Sequence, residues 1–294
     1  MEFDKPVIGG PCWAELGTSD LDAAKRFYGE VFGWRCDADT RPELLGYTVA
    51  RLKGAAVAGL GPLYRPTQPV AWNVSFAVAD ADTAANRVAE AGGTVIRGPM
   101  DVFDEGRRTV ALDPSGAAFQ MWQARDFPGA GVFNRPGALG WVELATREVK
   151  RARDFYTEVF GWSVNASEWY TQWGLHGMDF GGVTALHEGF PADVPPHWLP
   201  YFAVEDVDAT AEVADRAGGR ALQAPTSVAS GPRIAVLRDP QGAAFGVYQA
   251  GDEETEGPES WQEAPAVDEA GQAAAGPGGT APGHGGAARG GGAG

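Results

Sequence analysis

Apolar and polar residues alternate over residues 12–18, the period of a strand with one face buried. Ser19-Asp20 then supplies an N-cap for a helix that carries Phe27, Tyr28, Val31 and Phe32 on one side and ends at Gly33. Residues 46–52 and 55–60 read as strands separated by a turn at Lys53-Gly54. A further strand over 73–79 leads to Asp80, which opens a helix running to Ala91, and Gly92-Gly93 stops it. Strands over 108–112 and 118–123 follow, joined by the turn Asp113-Pro114-Ser115-Gly116. The order is strand, helix, strands, and it occurs twice within these residues.

The whole pattern then returns. Trp13-Ala14-Glu15-Leu16, Phe27-Tyr28 and Val31-Phe32-Gly33-Trp34 come back 128 positions later as Trp141-Val142-Glu143-Leu144, Phe155-Tyr156 and Val159-Phe160-Gly161-Trp162. Trp72 with Phe76-Ala77-Val78, and Asp113-Pro114 with Gly116-Ala117-Ala118-Phe119, come back 126 positions later. Their counterparts are Trp198 with Phe202-Ala203-Val204, and Asp239-Pro240 with Gly242-Ala243-Ala244-Phe245. Self-similarity at this period means two copies of one domain. The predicted organisation is a lead-in at 1–10, a first domain at 11–125, a linker at 126–137, a second domain at 138–250 and a tail at 251–294. The tail is rich in Gly, Ala, Pro and acidic residues, a composition that buries too little apolar surface to offset its ordering entropy. It is expected to be disordered.

Composition narrows the function. The chain of 294 residues carries a net charge of −16, only part of it from the tail, which disfavours nucleic acid as a partner because phosphate binding needs a basic face. There is no charge-flanked apolar leader and no run long enough to span a membrane, so a cytoplasmic protein with a small-molecule partner is expected. Cys12 and Cys36 have no ligand or disulfide spacing and read as buried thiols. His176, His187, His197 and His284 match no metal-ligand spacing and read as surface or loop residues. Neither a phosphate-binding glycine loop nor a nucleophile elbow is present.

The segments Thr18-Ser19-Asp20-Leu21, Phe27-Tyr28, Phe32-Gly33-Trp34, Phe76-Ala77-Val78 with Asp80, and Asp113-Pro114 with Gly116 and Phe119 resemble the vicinal oxygen chelate superfamily of glyoxalases, bleomycin-resistance proteins and ring-cleaving dioxygenases. Both copies carry the likeness, over about residues 11–249. It implies an α+β fold of four βαβββ modules, forming two tandem domains with cup-shaped mixed sheets. A tandem chain of this kind completes in one molecule what single-domain relatives build as dimers, so a pseudo-dimeric monomer is expected. In the family's metal enzymes the ligand places would fall on Trp13, Asn73 and Gln120, and on Trp141, Leu199 and Gly246. These are poor ligands for a hard divalent ion, so no metal and no other cofactor is expected.

Strand parity assigns what faces each cup. Trp13, Glu15, Asn73, Ser75, Gln120 and Trp122 turn into the first, and Trp141, Glu143, Leu199, Tyr201 and Tyr248 into the second, while Cys12, Ala14 and Leu16 pack on the helix. Each cup thus pairs a Trp with a Glu, an arrangement suited to a flat aromatic or cationic molecule. Glu15 and Glu143 are the candidate acid–base groups of a glyoxalase-like lyase or isomerase. The competing reading makes both carboxylates structural, bonded to backbone N–H groups or to an arginine such as Arg108, with the cups filled by the protein's own side chains. Trp34 and Trp162 read as core; Trp72 and Trp198 fit either a cup rim or an inter-module seam. Asn73 and Gln120 leave the first cup polar, whereas Leu199 and Gly246 make the second drier, which favours the first as the working half.

Overall fold

The computed structural model describes residues 5–38, 41–166, 170–228 and 231–249; the predicted tail lies outside them. The first repeat runs β1 (Pro11–Thr18), α1 (Leu21–Phe32), β2 (Arg35–Ala38), β3 (Thr48–Leu52), β4 (Ala55–Pro62), β5 (Ala71–Ala77), α2 (Ala81–Glu90), β6 (Thr94–Val102), β7 (Gly106–Leu112) and β8 (Ala118–Ala124). The second repeats it as β9 (Leu139–Thr146), α3 (Val149–Phe160), β10 (Ser163–Ala166), β11 (Thr171–Leu175), β12 (Met178–Ala185), β13 (His197–Ala203), α4 (Val207–Arg216), β14 (Arg220–Ser227), β15 (Arg233–Arg238) and β16 (Ala244–Gln249). Each repeat is one eight-stranded mixed sheet, ordered β2-β3-β4-β1-β5-β8-β7-β6 in the first and likewise in the second. The antiparallel pair β1–β5 joins its two βαβββ modules edge to edge.

Local chemistry sets the helix ends. Asp20 accepts from the Ala23 N–H at 2.9 Å to start α1, and Gly33 stops it at φ +70° while donating back to the Gly29 carbonyl. Asp80 and Asp206 start α2 and α4 in the same way. The sequence pattern missed β2 and β6. Both are edge strands, and β6 has no alternation to read, being largely exposed and bulged on either side of Arg97.

The repeated motifs turn out to weld the two halves together. Tyr28 on α1 donates to Asp239 Oδ2 of the second repeat at 3.0 Å, and Tyr156 on α3 donates to Asp113 Oδ2 of the first at 3.2 Å. Trp72 and Trp198 donate to those same hydroxyls, at 3.0 and 2.8 Å. Each aspartate spends its other oxygen on the turn that follows: Asp113 Oδ1 accepts from the N–H groups of Ser115 and Ala117. The Phe-Tyr and Asp-Pro-Gly signatures are therefore parts of one crossed joint. Trp34 and Trp162 belong to it as well, donating to the Gly137 and Gly9 carbonyls across the boundary at 2.7 Å each. Phe32 and Trp72 meet Phe202, and Phe76 meets Trp198, with ring centroids 5.1–5.2 Å apart. Trp34 and Trp162 are core, as expected, and Trp72 and Trp198 settle into the seam. One hydrophobic core runs through both repeats and leaves the other face of each sheet for the cups.

Candidate functional site

Register places the first cup's residues side by side. Trp13 lies opposite Ser75, Glu15 opposite Asn73, Ser75 beside Gln120, and Arg108 opposite Trp122. Their neighbours in sequence, Ala14, Leu16, Val74, Phe76 and Met121, are buried in the shared core, on the face that strand alternation gives them. Cys12 departs from it. A bulge between Pro11 and Trp13 breaks the alternation, and Cys12 joins the small cluster of Trp13, Ala77 and Trp122 instead of packing on the helix.

Two elements complete this cup that parity on β1, β5 and β8 does not reveal. Tyr47 enters from the segment before β3 and passes over Gly59, the partner of Glu15 in β4. A Cβ on Gly59 would lie 2.0 Å from the Tyr47 hydroxyl, so only glycine admits the ring. That hydroxyl accepts from Trp13 Nε1 at 3.1 Å and donates to Glu15. Burial and the Glu15 charge hold Tyr47 protonated, well above the ordinary phenol range. Arg108 reaches across from β7 and sets Nη1 3.5 Å from Glu15 Oε1. The structural alternative named for Glu15 is thus partly realised: an arginine balances its charge, and the physical ground for a cation in this cup is weakened.

The floor is tightly packed. Ser75 and Gln120 are 4% and 6% exposed, and Trp13 packs edge-on against Phe127, whose carbonyl accepts from Trp122 Nε1 at 2.8 Å. Glu15 and Arg108 keep more contact with solvent. Above them, Arg41 pairs with Glu105 and lies over the Phe103 ring at 4.3 Å. Arg41 follows β2 and Glu105 follows β6, so opposite edges of the curled sheet are clasped together.

The second cup keeps the Trp–Tyr–Glu unit and changes the rest. Trp141 Nε1 donates to the Tyr170 hydroxyl at 3.1 Å, which donates to Glu143 Oε2 at 2.8 Å, and Gly182 makes room as Gly59 does. Tyr201 stands where the first cup has Ser75 and donates to Glu143 Oε1 at 3.3 Å. Its ring occupies the space over Gly246, the counterpart of Gln120: a Cβ there would lie 2.1 Å from the ring. Leu199 replaces Asn73, and Ile234 replaces Arg108. Without the arginine, burial outweighs the hydroxyl hydrogen bonds, and Glu143 is held above the usual carboxylate range. Tyr248 turns to the linker, donating to Asn134 at 2.8 Å. A separate groove of about 620 Å³ at the boundary of the repeats, lined by Leu52, Val132, Val204 and Val213 among others, touches neither Trp–Glu pair.

A family profile described as the Glyoxalase/Bleomycin resistance protein/Dioxygenase superfamily matches residues 12–121 and again 138–247. The chain belongs to that superfamily. It is 39% identical over 250 residues to a protein named putative glyoxylase CFP32 of Mycobacterium bovis, covering 82% of this chain and 95% of that one. It is 38% identical over 259 residues to the anthracycline biosynthesis protein DauV of Streptomyces sp. strain C5, covering 82% and 93%. In fold it is similar to the Mn(II)-bound glyoxalase of Novosphingobium aromaticivorans (TM-score 0.61, 16% identity, 82% of each chain covered). The 2,3-dioxygenase LapB of Pseudomonas sp. KL28 is comparable (TM-score 0.60, 15% identity, 84% and 93% covered).

The superfamily's metal chemistry sets a fit test for this member, and its donors fail it. Trp13 spends its only polar atom as a donor to Tyr47, Asn73 and Gln120 offer neutral amides, and Leu199 and Gly246 offer no side-chain donor at all. Among the described residues, no three His, Cys, Asp or Glu side chains converge. Sequence reasoning missed Tyr47, Tyr170, Gly59 and Gly182. They recur 123 positions apart, outside the 128 and 126 of the visible repeat, because the connection after Trp34 is longer than the one after Trp162.

Proposed function

We propose that the first repeat binds a flat aromatic organic molecule in its cup without a metal ion, and that the second repeat is a filled counterpart that supports the fold. One contrast carries this reading. Where the second cup places the Tyr201 ring over Gly246, the first has the short Ser75 beside Gln120, so polar groups stand where a ring is housed in the other copy. Trp13, Trp122 and Phe127 give that space an aromatic wall, which favours planar ligands by stacking and edge contacts. The similarity to a protein named for anthracycline biosynthesis points the same way, since anthracyclines are fused-ring aromatics.

Calorimetric titration of the full chain with 2-naphthylmethanol, a neutral planar probe, tests it. Ser75→Tyr with Gln120→Gly rebuilds the second cup inside the first and should abolish binding, whereas Tyr201→Phe should leave it unchanged. Equal affinity in wild type and the double variant would refute the assignment.

The name putative glyoxylase on a 39% identical relative favours a second reading, a lyase or isomerase acting through Glu15. Turnover of the methylglyoxal hemithioacetal that disappears in Glu15→Gln and persists in Glu143→Gln would support it. Absence of turnover in wild type would remove it.

A further inference from the structure

Resting on the proposal that the first cup holds an aromatic molecule, we infer that Arg108 is the specificity-determining residue and that the ligand carries an anionic oxygen, such as an aromatic carboxylate. Arg108 stands opposite Trp122 on the concave face and reaches across the floor to Glu15. Its pairing there is incomplete. The contact with Glu15 is a single 3.5 Å approach with no hydrogen bond, and Arg108 Nε is buried without a hydrogen-bond partner. A guanidinium offers five donors in a planar fork, and a buried N–H left without an acceptor costs free energy that a ligand oxygen would remove.

The local charge agrees. Each carboxylate there has an arginine partner, Glu15 with Arg108 and Glu105 with Arg41, and Arg97 also acts on the nearby Tyr64, so the cup is not acidic although the chain's net charge is −16. The arginine is peculiar to this cup, Ile234 standing in its place opposite Tyr248 in the other. Glu15 then holds Arg108 across the floor while the cup is free and yields to the ligand's oxygen when it fills. Arg108 and the acid would form a charge-assisted hydrogen bond, the kind that makes Arg the usual partner of a carboxylate.

Three matched probes test this on the full chain: 2-naphthoate, 2-naphthylmethanol and 2-naphthylmethylammonium, titrated into wild type, Glu15→Gln, Arg108→Met and the double variant. The double variant removes both charges together, so the fold is not left with an orphaned carboxylate. The expected result is that naphthoate binds wild type about tenfold more tightly than the alcohol, as one charge-assisted hydrogen bond would give. Glu15→Gln should tighten naphthoate further, and both Arg108→Met proteins should lose the preference while still binding the alcohol. If naphthoate and the alcohol bind alike, if the ammonium binds best, or if the preference survives Arg108→Met, the role of Arg108 is overturned and the aromatic cup stands. Failure of all three probes to bind overturns both.

Discussion

The two cups begin from the same unit and end as different objects. Each has a Trp indole donating to a Tyr hydroxyl that donates to a Glu, with a glycine on the neighbouring strand making room for the tyrosine. In the first, Arg108 supplies a counter-charge and the floor is built from Ser75 and Gln120. In the second, Tyr201 covers Gly246, and burial holds Glu143 above the usual carboxylate range against the hydroxyls of Tyr170, Tyr201 and Thr184 and the His197 charge. The lesson is that the Trp–Tyr–Glu unit is not itself the site. It fixes the position of a carboxylate, and the residues on the strands facing it decide whether that carboxylate meets an arginine or the hydroxyls of two tyrosines.

The most damaging way to break this comparison is to crowd the second cup. Gly246→Ala would set a methyl 2.1 Å from the Tyr201 ring and should cost about 3 kcal/mol, seen as a lower midpoint in denaturant titration. Adding Tyr201→Ser should restore most of the loss, because the two positions share one volume. Next in size is the joint that treats both halves alike. Tyr28→Phe leaves Trp72 Nε1 and Asp239 without their shared hydroxyl, and Tyr156→Phe does the same to Trp198 and Asp113. Each should cost roughly 2 kcal/mol, and similar losses from the two would show that the asymmetry is confined to the cups.

Much of this was legible from the chain. The repeats, the caps at Asp20 and Asp80 and the alternation on β1 announce the fold, and parity turns Glu15 toward the cup, with Arg108 one arginine that could bond it. The rest was hidden for identifiable reasons. Tyr47 and Tyr170 come from connections of unequal length, which shifts them out of the repeat offset, and parity is silent on loop residues. A bulge turned Cys12 to the wrong face for a simple alternation. The tyrosine-to-aspartate joint spans 211 positions in one direction and 43 in the other, distances that no local pattern encodes.

A smaller effect tests the carboxylate of the second cup by pH. Glu143 has a raised proton affinity in the folded state, so its contribution to stability is complete below the range of an exposed carboxylate and is lost as pH rises through its own elevated value. Thermal unfolding from about pH 5 to about pH 8 should therefore show a flatter stability profile in Glu143→Gln than in wild type. Some slope should remain, because burial raises Asp239 in the same direction. An unchanged profile would mean that the second cup is wetter than its hydroxyl cage implies. The smallest change concerns the clasp over the first cup. Arg41→Ala removes a partly exposed pair with Glu105 and should cost about 0.5 kcal/mol, while speeding ligand entry measured by stopped-flow fluorescence.

Crystals of the full chain soaked with 2-naphthoate give the most direct test of the claim that only one cup is a site. The account predicts ligand density in the first cup, between the Trp13–Trp122 wall and Arg108, with the carboxylate on the guanidinium and the Tyr201 ring undisturbed in the second. Density in the second cup, or only in the groove at the boundary of the repeats, would contradict it.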